Sequence, residues 1–176
     1  MSKMQASDVA LDPTVAKLKK TCDDAYMKYP GSCSHAVWFV RTEIIDPNAQ
    51  YRQANQLVEE LSTATNWKEV SVEDGWALAQ KGIVVIGGYK QDGGHGHVIV
   101  VYPGDKIASG GYLYPHKEKG TGKTKLLVLR SHGMFPRALS TSSGSWPGAK
   151  SKGDKTVWDP WADDDVFEDV TFWTNC

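Results

Sequence analysis

Long apolar runs are the first thing this sequence does without. Runs such as Ile83–Ile86 and Val98–Val101 fall far short of the roughly 18 residues a bilayer-spanning helix needs, so no membrane span or membrane partner is expected. An excess of one charge is missing too. Lys and Arg number 20 against 21 Asp and Glu, which argues against a surface built to neutralise phosphates and so against a nucleic-acid partner. Cysteine is scarce: Cys22, Cys33 and Cys176 are the only three, an odd count in which one bridge leaves a thiol over. The stretch Met1–Asp8 has no apolar core of the secretory kind, so the expectation is a chain that stays inside or leaves by a route needing no cleaved signal.

What remains is of ordinary globular make-up. The chain has 176 residues, 40% of them hydrophobic and 23% charged, enough to bury a core of its own as one domain over 1–176, with residues 1–12 expected as a flexible N-terminus. Asp12-Pro13 is a cap followed by a residue suited to a first turn, and Val15, Leu18, Cys22 and Tyr26 recur at helical spacing, predicting a helix over 13–28. Pro30-Gly31-Ser32 breaks it. Ser32 is then the cap of a second helix carrying Cys33, Ala36, Val37, Val40 and Ile44 on one face, which puts Cys33 in the first turn of a buried helix. Tyr51, Ala54, Leu57, Val58 and Leu61 mark a third helix ending near Thr63; a short extended piece at 67–70 and a short helix over 74–81, stopped by Gly82, follow. The period then changes to strands at 83–89 and 97–102, joined by a turn with Asp92-Gly93, and to further strands at 125–130 and 166–174. Helices first and an antiparallel sheet second is the α+β pattern. Residues 117–123 and 140–154 read as loops, and Trp38 and Trp76 as core residues of helices.

Three motifs invite chemistry. Lys119-Gly120-Thr121-Gly122-Lys123-Thr124 lacks the upstream glycine of a phosphate loop, position 117 being Lys, and reads as a solvated turn. His95-Gly96-His97 places two imidazoles on one face of a strand, but the upstream His35 is followed four residues on by Phe39 rather than a carboxylate, so no metal site is expected. Cys33 with His97 carries more. A thiol at a helix N-terminus near an imidazole is the arrangement of a cysteine nucleophile and its base, and a buried core thiol with a satisfied strand-end histidine is the plainer alternative.

Gly31-Ser32-Cys33-Ser34-His35-Ala36-Val37 resembles the nucleophile segment of NlpC-type cell-wall peptidases, and Gly96-His97-Val98-Ile99-Val100-Val101 resembles the strand that carries their base. Ala54 to Val58 is similar to the helix between those motifs, and Asp74 to Ile86 to the approach to the first strand. Within that group the likeness is to the amidase effectors of the type VI secretion system, over roughly residues 15 to 104, and it is thin beyond about residue 105.

The resemblance implies a papain-like single domain, N-terminal helices packed on an antiparallel sheet, that cuts peptidoglycan stem or cross-link amides with no cofactor and no metal. Cys33 is then the nucleophile, its own backbone N–H holds the oxyanion, and His97 rather than His95 is the base, because it directly precedes the apolar strand. Asp105, Ser109 and His132 are the candidates for a third residue that orients His97. It further implies synthesis in the cytoplasm, export by the type VI apparatus, work in the periplasm of a recipient cell, and a cognate immunity protein as partner. For that oxidising site a Cys22–Cys176 bridge is the expectation, leaving Cys33 the lone thiol. Trp146, Trp158 and Trp161 are candidates to line a glycopeptide groove or to cap the core, and Asp163–Asp165 reads as a solvated turn. Two alternatives of other kinds stand beside this: an inert wall-binding or interaction module on the same scaffold, and a cysteine hydrolase toxin acting on a different amide.

Overall fold

The carboxylate of Asp12 accepts the N–H of Thr14 at 2.8 Å and so starts α1 (Pro13–Lys28), with Pro13 in the first turn where its missing donor costs nothing. A computed structural model describes residues 11–176. Most of the 1–12 stretch expected to be flexible therefore lies outside the described residues, and Asp12 itself is fixed as a cap. Next come α2 (Cys33–Ile44), α3 (Ala54–Thr63), β1 (Trp67–Val70) and α4 (Val72–Ala79). The third helix starts at Ala54 rather than at 51, because Gln53 caps it in a reciprocal box with Gln56 and leaves Tyr51 outside. Gly82, at φ +79°, ends α4 as a left-handed residue, and a Cβ there would lie 2.5 Å from the Thr14 backbone.

The second half is the sheet: β2 (Val85–Tyr89), β3 (His97–Ala108), β4 (Leu113–Lys117), β5 (Thr124–Val128), β6 (Met134–Ser140), β7 (Ser151–Thr156), α5 (Asp164–Glu168) and β8 (Thr171–Asn175). Six strands pair antiparallel in the order β1-β8-β2-β3-β6-β7, while β4 and β5 form a hairpin of their own. Alternation along β3 explains the two-sided core. Val98 and Val100 face α1, α2 and α3, packing with Leu18, Val37, Leu57 and Leu139. Ile99 and Val101 face the other way, towards Ala79, Val157 and Phe172. The structure is thus α+β, with helices on both faces of an antiparallel sheet.

Four expectations are corrected. The 140–154 loop contains a 3-10 turn (Pro147–Ala149) and the start of β7, a strand whose buried positions are Ser151, Gly153 and Thr156 and which shows no apolar alternation. The strand foreseen at 166–174 is shortened to β8, because Asp163 caps α5 by accepting the N–H groups of Asp165 and Val166. Trp38 and Trp76 are half-buried, each donating its indole N–H to a backbone carbonyl, of Ala49 in a loop and of Gly104 in β3. The strand foreseen at 125–130 is β5 of the separate hairpin.

Candidate active site

Ser32 sets the position of Cys33. Its backbone is extended (φ −144°), and its Oγ accepts the His35 N–H at 3.3 Å and lies 2.7 Å from His35 Nδ1. Cys33 is consequently the first helical residue of α2, where backbone N–H groups have no partner within the helix. Behind it, Ala36, Val37 and Val40 are sealed in the core, which fixes the helix end in place. Ser34 is buried and hydrogen-bonds the Tyr51 hydroxyl at 2.8 Å, while the Tyr51 ring stacks on His35 at 4.1 Å, so one wall beside the thiol is tied together.

His97 arrives from the other side. It opens β3 opposite Tyr89 of β2. The turn between those strands is held by one side chain: Asn55 accepts from the N–H of Gln91 and of Gly96 and donates to the carbonyls of Gln91 and Gly94, at 3.0 to 3.1 Å. Gly96 is tight against it, since a Cβ there would come within 2.2 Å of Asn55 Oδ1. The imidazole Nε2 lies 2.9 Å from Ser140 Oγ, which donates to the Ala149 carbonyl at 2.7 Å. Trp161 meets the ring edge-on at 5.5 Å.

Cys33 and His97 line the same cleft of about 770 Å³, walled further by Tyr51, Trp146, Trp161 and Asp163. The backbone N–H groups of Val98, next to His97, of Ser34 and of Cys33 itself favour the Cys33 thiolate. Burial pushes the thiol up from its ordinary value, and these three donors oppose the rise. Burial also pushes His97 down to about 4. At neutral pH the resting pair is therefore thiol and neutral imidazole, not an ion pair. Asp163 is the one carboxylate among the described residues lining the cleft, and no Lys or Arg lines it.

His95 lines this cleft too but is exposed and makes no side-chain hydrogen bond among the described residues. The three candidates for an orienting residue are not brought to His97. Asp105 lies within the irregularity in β3, its carbonyl held by Arg137; Ser109 accepts the His132 N–H; and His132 pairs with Asp164 at 2.9 Å while stacking on Trp158. The side chain that hydrogen-bonds the His97 ring is Ser140, 43 positions along the chain, and nothing local in the sequence singles it out. Of the loop tryptophans, Trp146 and Trp161 line the cleft and Trp158 is fully buried core. Asp163–Asp165 is exposed as expected, yet Asp163 is both a helix cap and part of the cleft wall.

The Cys22–Cys176 bridge is also corrected: all three cysteines are thiols. Cys22 is sealed in the helix layer, whereas Cys176 is exposed at the sheet, its N–H bonded to the Asn66 carbonyl. Among the described residues no group of three or more His, Cys, Asp or Glu is placed to hold a metal. No protein-family model matches the chain, and no curated protein matches it in sequence.

Proposed function

We propose that this chain is a papain-like cysteine amidase that cuts peptide bonds of peptidoglycan, made in the cytoplasm and delivered to the periplasm of a rival cell by a type VI secretion apparatus, with an immunity protein as its counterpart. The observation that carries the catalytic part is the meeting of Cys33 and His97 in one cleft, where the backbone N–H that follows the imidazole favours the thiolate. The cell-wall substrate and the route of delivery rest on the resemblance of the segments around Cys33 and His97.

The chemistry follows from the resting state. With substrate bound, His97 takes the proton of the Cys33 thiol as sulfur attacks the amide carbonyl. The oxyanion that forms faces the N–H groups at the start of α2, those of Cys33 and Ser34, which no helical carbonyl uses. The imidazolium returns the proton to the departing amine, leaving a thioester, and a water activated by the again neutral imidazole releases the acid. No other group enters the balance.

The test is digestion of Gram-negative sacculi by wild type, Cys33→Ala and His97→Ala, with soluble muropeptides identified by mass. New fragments with wild type alone support the amidase, and their masses name the bond. An unchanged profile with all three under reducing, metal-free conditions overturns it.

A second reading has one observation in its favour. The thiol pushed up by burial beside a neutral imidazole is also what an inert wall-binding module on this scaffold would show. Alkylation separates the two: a Cys33 that reacts readily near neutral pH and is slowed by His97→Ala belongs to an enzyme.

A further inference from the structure

We infer that Ser140 is the positioning residue of this site, holding His97 in the tautomer whose proton is on Nε2 and whose Nδ1 is bare. The inference deepens the amidase reading and rests on it for its catalytic consequence, though not for its geometry. A serine hydroxyl has one proton and two acceptor lone pairs. The Ala149 carbonyl, 2.7 Å from Ser140 Oγ, can only accept, so the hydroxyl proton lies there. Towards Nε2, 2.9 Å away, Oγ then presents a lone pair, and the bond forms only if Nε2 brings the hydrogen. A neutral imidazole has a single ring proton, so Nδ1 is left as the base.

Covalent geometry supplies the rest. Nδ1 is the ring nitrogen bonded to Cγ, the one nearer the main chain of His97. The main-chain N–H directly after His97, that of Val98, is among the donors that favour the Cys33 thiolate, and Cys33 and His97 line one cleft. The tautomer set by Ser140 therefore bares the nitrogen on the backbone side of the ring, towards the Val98 N–H that favours the Cys33 thiolate.

The support itself is rigid. Ser140 is 1% exposed and ends β6 paired with Ser151 of β7. The acceptor behind it belongs to a 3-10 turn, where the Ala149 N–H bonds the Trp146 carbonyl and the Trp146 indole N–H bonds the Asp159 carbonyl at 2.8 Å. When Nδ1 takes the thiol proton, the charge gained by the ring is shared along Nε2–H, Oγ–H and the Ala149 carbonyl, a relay already aligned before reaction.

The experiment is nitrogen-15 NMR of histidine-labelled full-length protein at neutral pH, which reads the tautomer without substrate. For wild type the expected result is His97 with the proton on Nε2; a proton on Nδ1 overturns the inference whatever the protein does to cell wall. In Ser140→Ala the ring is expected to become a mixture of tautomers, and kcat on sacculus fragments to fall about 10- to 100-fold with KM nearly unchanged. Ser140→Thr, which keeps the hydroxyl, is expected to restore the tautomer and most of the rate. Unchanged tautomer and kcat in Ser140→Ala overturn the role. If wild type cuts no sacculus, the amidase reading fails, and the NMR result still decides whether Ser140 sets the tautomer.

Discussion

Asn55 Oδ1 accepts the N–H of Gly96 at 3.0 Å, one residue before the imidazole that shares a cleft with Cys33. A side chain on α3 thereby fixes where β3 begins. Asn55→Ala removes four hydrogen bonds from the β2–β3 turn, and a loss of about 2 kcal/mol in stability is expected, most of the affected groups being close to solvent. Urea denaturation measures it. Gly96→Ala is expected to be worse, because its Cβ meets both Asn55 Oδ1 and the Tyr89 carbonyl within 2.6 Å. Gly93→Ala is a control in the same turn: nothing lies within 4 Å of its Cβ, so only the positive φ of +72° counts, about 1 kcal/mol with activity kept.

The half-buried His97 makes stability acid-sensitive. Its pKa is pushed down to about 4 by burial, from an ordinary value of 6.5. Between those values the unfolded chain binds the proton and the folded chain does not, so this contribution is complete above the ordinary value and is lost as pH falls towards 4. The loss is of order 2 kcal/mol. Denaturation midpoints at pH 7 and pH 4.5 check it, since the acid loss should shrink in His97→Gln.

A resting pair without charge also shapes reactivity. Because burial raises the Cys33 thiol, the rate of alkylation by iodoacetamide is expected to climb steadily as pH rises past neutrality. A plateau already reached near pH 5 would show a preformed thiolate–imidazolium pair and contradict that picture.

The three thiols should separate by access. Cys176, exposed, is expected to react with a maleimide at once, Cys33 more slowly, and Cys22, buried in the core, only on unfolding. Intact mass after timed labelling in non-reducing buffer reads the order. A species with only one reactive thiol in denaturant would restore the bridge between Cys22 and Cys176.

The parts legible in the sequence are those where one element settles its own fate. α1 and α2 announce themselves by Asp12, Ser32 and an apolar stripe, and Cys33 and His97 stand at element starts that local signals mark. What stayed hidden depends on partners distant in the chain. β7 buries Ser151 and Thr156 where a strand normally shows apolar residues, so its period is invisible. α5 hangs on a cap within an acidic run that reads as a turn. Ser140 reaches His97 because β6 lies beside β3 in a register that pairs Leu139 with Val100, and no spacing rule encodes that pairing.

The place of β8 bears on how the molecule comes into being. It comes latest in sequence among the described strands, yet it lies inside the sheet, bonded to β1 on one side and β2 on the other. A ribosome has released Cys33 and His97 long before it reaches Thr171, and until then β1 has no neighbour and β2 lacks one of its two. The nascent chain thus carries Cys33 and His97 before the strand that joins β1 to β2 exists, so the sheet that frames their cleft is complete only once β8 is in place.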